Sequence, residues 1–98
     1  MKLPVTETIK DIFGKDLIAE SGAPVTLATV IQNALLGVLK SDENMDGASK
    51  LALHTLAVRT LNPDADYVME EVTLIKSRVG MTYGPAIVGP AFALIEGR

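Results

Sequence analysis

The sequence predicts a mainly α (α+β) protein in which a short N-terminal β-hairpin precedes a compact bundle of three to four helices. Three observations predict it. Beyond Pro24, apolar residues recur at about 100° per residue, the helical period, through successive stretches. Those stretches are separated by residues that cap or break helices. Only residues 1–24 depart from the pattern, placing β-branched and aromatic side chains on both sides of Gly14-Lys15. With 98 residues there is room for one domain, residues 1–24 forming a hairpin arm and 25–98 a helical core.

The hairpin is expected within Glu7–Ala19, and Ser21-Gly22-Ala23-Pro24 ends it, Pro24 biasing Ala23 toward extended backbone. Thr26 is a suitable N-cap for a first helix whose inner stripe is Leu27, Val30, Ile31, Ala34, Leu35, Val38 and Leu39; Leu36 lies opposite that stripe. A polar loop over 41–47 offers Asp42 or Asp46 as the next cap. The second helix spans about 48–61, until Asn62-Pro63 stops it. Its apolar residues point in nearly every direction, which predicts a central helix.

Glu70 and Glu71 suit the positive end of a third helix, with Val68, Val72, Ile75 and Val79 inward and Arg78 near the opposite pole. Leu74 falls on its polar side. Residues 80–84 break this helix, Pro85 fits the first position of a fourth, and Gly97 fits its stop. Pro90 predicts a kink, or an irregular segment before a shorter final helix.

Composition narrows the function classes. Hydrophobic residues make up 48% of the chain and mean hydropathy is +0.30, yet the only aromatics are Phe13, Tyr67, Tyr83 and Phe92. A chain this small hides only about 60–70% of its unfolded surface, so the aliphatic excess predicts burial against another subunit. A homo-oligomer is expected, a dimer first, because the two-fold is the commonest closed symmetry. A net charge of −3 without a basic stripe opposes nucleic-acid binding. Met1–Thr6 has the character of neither a signal nor a transit peptide. The apolar stretch Met81–Ile95 contains Pro85 and Pro90 and falls short of the roughly 20 residues that span a bilayer. No membrane association and a cytoplasmic location are therefore expected.

No cysteine and a single histidine, His54, leave no metal site, no cofactor and no nucleophile-base set to expect, so the chain is read as a non-enzyme. His54 is read as structural, and the acidic clusters as loop solvation and caps. Leu36, Leu53 and Leu74 lie off or beyond the inner stripes and are interface candidates. Tyr83 and Phe92 join them, flanking the rigid Gly84-Pro85 and Gly89-Pro90 pairs. Lys76 and Arg78, close to Tyr83 in sequence, are candidates for holding an anionic ligand by charge and stacking.

The string from Glu70 through Tyr83-Gly-Pro85 to Val88-Gly89, closing on Leu94-Ile-Glu96-Gly97, resembles a group of short, mostly uncharacterised proteins of tailed bacteriophages and prophages. Asp11 to Lys15, Thr26-Leu27 and Ala34 to Leu36 agree with it, so the resemblance covers most of the chain; Pro90 departs from the pattern. It implies a viral accessory protein in a bacterial host and carries over no site residues. The resulting expectation is a self-associating binding module that acts on a host or phage protein. The alternatives are an oligomer that sequesters a small nucleotide-like anion, and a minor structural or assembly protein of the virion.

Overall fold

The computed structural model of the chain describes residues 1–97. Four helices make up about half of it: α1 (Leu27–Leu36), α2 (Gly47–Arg59), α3 (Met69–Thr82) and α4 (Pro85–Glu96), with a short 3₁₀ turn at Lys40–Asp42. The mainly α class is as expected. None of the helices is long and apolar enough to cross a membrane.

Helix α1 sits at the centre and touches each of the other three. Its expected stripe is the buried one, Leu27, Val30, Ile31, Ala34 and Leu35, and Thr26 caps it by accepting a hydrogen bond from the Thr29 N–H. The helix stops at Leu36, however, so Val38 lies beyond the stripe and in solvent. Helix α2 corrects the expectation more sharply. It begins at Gly47 under an Asp46 cap and is peripheral rather than central, burying only Leu53, Leu56 and Ala57. Being apolar all round, it covers α1 with one side and leaves the others uncovered.

Helix α3 buries Val72, Ile75 and Val79 together with Arg78, and Glu71 accepts the N–H of Val68 at its start (2.9 Å). Val68 itself is the exposed N-cap and not part of the inner stripe. Helix α4 starts at Pro85 and ends at Gly97, whose φ of 75° closes it in the left-handed region. It runs through Pro90 as one helix, with no irregular segment. Ala86, four residues earlier and the would-be acceptor from residue 90, is exposed, so water can satisfy that carbonyl.

The N-terminal segment forms no two-stranded ladder, only isolated antiparallel bridges. Its organisation is different from a single hairpin. Two tight turns, Asp11–Gly14 and Ala19–Gly22, are each closed by a glycine N–H donating back three residues (3.0 and 2.8 Å). Gly14 and Gly22 both hold positive φ, 81° and 86°, as a type I turn followed by a left-handed residue requires. Before, between and after the turns, three apolar residues at eight-residue spacing bond to one another in a ring. Leu17 N–H donates to the Ile9 carbonyl (2.9 Å), Val25 N–H to Leu17 (2.8 Å), and Ile9 N–H to Val25 (2.8 Å). Ile9, with Leu3 and Val5, is buried in the same core as the helices, and Leu17 and Val25 pack against it.

Candidate functional site

The uncovered sides of α2 carry a run of exposed aliphatic side chains. Leu51, Val58 and Leu61 are 64%, 50% and 73% exposed, and Leu36 at the end of α1 is 54% exposed. Leu61 lies past the last helical residue. The chain there tightens into three-residue bonds, Leu61 N–H to the Val58 carbonyl (3.0 Å) and Asn62 N–H to Arg59 (3.1 Å), which carries the helical path on by about a turn. Leu51, His54, Val58 and Leu61 thus succeed one another at three- and four-residue intervals and share one outward crest.

Apolar hollows lie on both flanks of this crest. Between α1 and α2, Gln32, Leu36, His54, Ala57, Val58 and Leu61 enclose about 170 Å³. A larger one of about 380 Å³ continues from it past Leu36 and His54 to Val38, Met45 and Leu53. On the other side, Leu51, Ala52, Thr55 and Leu56 face Leu74 of α3 across a second hollow of about 380 Å³. Arg59 and Glu71 form the charged part of this hollow's wall. The Arg59 Nη1 donates to Glu71 (2.7 Å) and its guanidinium lies over the Tyr67 ring, 5.6 Å from the centroid. The Arg59 hydrogen bond, with the Val68 N–H, holds the Glu71 carboxyl below the ordinary glutamate value.

Of the interface candidates, Leu36 and Leu74 are exposed, and they face the two opposite flanks of α2. Leu53 is a correction: it is buried in the core, because the side of α2 that carries it is the one laid against α1. Tyr83 and Phe92 are half-buried and packed against the core, and Tyr83 lines a separate shallow hollow with Pro85 and Val88. They do not join the α2 surface.

The anion-binding candidates do not converge. Lys76 pairs with Glu96 (2.7 Å) and rests over the Phe92 ring, 5.2 Å from its centroid. Arg78, two residues on, points to a different side of α3 and is buried among backbone carbonyls. It donates from Nε to Ala34 (2.9 Å) and from Nη2 to Gly37 (2.9 Å) and Leu35 (3.4 Å), the acceptors that the end of α1 leaves open. Its Nη1 donates to Asp42 (2.8 Å). Arg78 is thus the C-terminal cap of α1 and is committed to that role. Among the described residues, no group of three metal-ligating side chains occurs.

No protein-family model, curated protein or solved structure matches this chain. The site therefore rests on its own geometry. Leu51, Val58 and Leu61, its principal side chains, carried a sequence signal in their three- and four-residue spacing, but a helix with apolar residues on every side gives no preference for that spacing over the buried one.

Proposed function

We propose that the protein is a non-enzymatic, self-associating binding module of bacteriophage origin that works in a bacterial cytoplasm by occupying the surface of a host or phage protein. The observation that carries the self-association is the crest of α2, large aliphatic side chains held in water along the helix and the turn that continues it. Being half to three-quarters exposed, each would gain on the order of 1–2 kcal/mol from complete burial. The dispersal of Lys76, Arg78 and Tyr83 favours this reading over capture of a small anion. The phage origin rests on the C-terminal string from Glu70 to Gly97.

Native mass spectrometry of the purified chain, with light scattering at micromolar concentration, tests it. A discrete dimer without added mass is expected. A monomer throughout that range overturns self-association, and a discrete co-purifying small molecule would revive the sequestering alternative.

A further inference from the structure

Resting on that reading, we infer that the surface covering α2 is the α2 of a second copy, packed antiparallel about a two-fold axis, with Leu51 against the partner's Leu61 and His54 against the partner's Val58. The crest has the alternating three- and four-residue spacing by which two helices interdigitate. Its order, Leu, His, Val, Leu, is complementary to itself when reversed, so one surface serves both copies, as a two-fold interface requires.

The charges agree with this register. Lys50 flanks the crest at its N-terminal end, where it acts on Asp42 through space without a salt bridge, and Asp64 follows its C-terminal end; neither makes an ion pair within 4 Å among the described residues. Reversal brings each beside the other across the interface, and it also opposes the two helix dipoles head to tail. A parallel pair would instead set Lys50 against Lys50 and Asp64 against Asp64.

The area agrees as well. The accessible surface is 6058 Å², against roughly 5,400 Å² for an average folded monomer of 10.4 kDa. The excess is of the order of the ~800 Å² that each partner gives to a standard interface. The hollows beside the crest, lined by Leu36 on one flank and Leu74 on the other, give the partner's side chains somewhere to sit.

The chain has no cysteine, so introduced ones report alone. Leu51→Cys and Leu61→Cys occupy exposed positions, and circular dichroism verifies that each variant folds. Mixed and gently oxidised, the two variants are expected to form a mixed disulfide dimer about tenfold in excess of either self-dimer, since a disulfide forms only where Cβ atoms approach to about 4 Å. Preferential self-dimers of Leu51→Cys would overturn the antiparallel register. An absence of cross-links from proteins that remain dimeric by light scattering would overturn the α2 interface while leaving self-association standing. A monomeric wild type would overturn both.

Discussion

Arg78 and Asp42 meet across 36 residues of sequence, Nη1 to Oδ1 at 2.8 Å, and the pair ties α3 to the 3₁₀ turn that follows α1. Asp42 Oδ2 also accepts the Leu39 N–H (2.9 Å), so one carboxylate fixes both ends of that turn. Three carbonyls at the end of α1 depend on the same guanidinium.

Replacing Arg78 by Ala should therefore be a folding defect. The substitution strands Asp42 and the carbonyls of Ala34, Leu35 and Gly37, and leaving a buried acceptor without its donor costs about 1–3 kcal/mol, a sizeable share of the ~5–15 kcal/mol total of a typical domain. Urea unfolding measures it; a variant as stable as the wild type would show that water replaces the guanidinium at no cost.

Acid stability should follow the same turn. The Arg78 hydrogen bond, with the Leu39 N–H, holds the Asp42 carboxyl below the ordinary aspartate value of 3.8. Stability from this group is complete above 3.8 and is lost as pH falls from there through the lower folded value. Asp46, lowered by the Ser49 N–H that it caps, acts in the same direction. Thermal melts should be flat between about pH 5 and 7 on this account and decline below about pH 4. Asp42→Asn should lower the plateau and make the decline shallower.

At Gly14 and Gly22 the expected cost is one of backbone alone. A Cβ at either would meet nothing within 4 Å, yet both residues hold positive φ. Gly22→Ala should destabilise by about 1–2 kcal/mol, the penalty of left-handed backbone for an L-residue, whereas Gly47→Ala, without that φ and equally unobstructed, should not. Paired thermal melts distinguish the two.

Tyr67 gives a prediction of the opposite sign. Its hydroxyl is buried without a hydrogen-bond partner among the described residues, and burial pushes its pKa above the ordinary tyrosine value. Tyr67→Phe removes a desolvated group that gains nothing in return, so it should be neutral or stabilising by up to about 1 kcal/mol. A clear loss of stability in urea would mean that an ordered water serves the hydroxyl.

The helices were legible because their boundaries are local chemistry. Thr26, Asp46, Pro85 and Gly97 act on backbone groups within a turn of themselves, and all four stand where such residues end or begin helices. The placement of α2 was not legible, because a helical wheel counts apolar sides without saying which of them a neighbour covers. Leu53 and Leu51 differ only in that respect. Arg78 was misread for a related reason: its acceptors are carbonyls of Ala34, Leu35 and Gly37, groups every residue carries. Its separation from Lys76, in contrast, follows from helical spacing alone. The regular recurrence of Ile9, Leu17 and Val25 beside Gly14 and Gly22 is also visible in the sequence, and its eight-residue period marks repeated turns rather than one hairpin.

The ring formed by Ile9, Leu17 and Val25 bears on solubility. Each of the three uses its own N–H and its own carbonyl within the ring, so none of these apolar, β-prone residues offers a vacant row of backbone groups to a passing chain. Open strand edges are the usual template for runaway strand addition. In a sequence this rich in aliphatic side chains, the backbone groups of Ile9, Leu17 and Val25 are thereby withheld from strand addition, and the proposed self-association falls to side-chain packing.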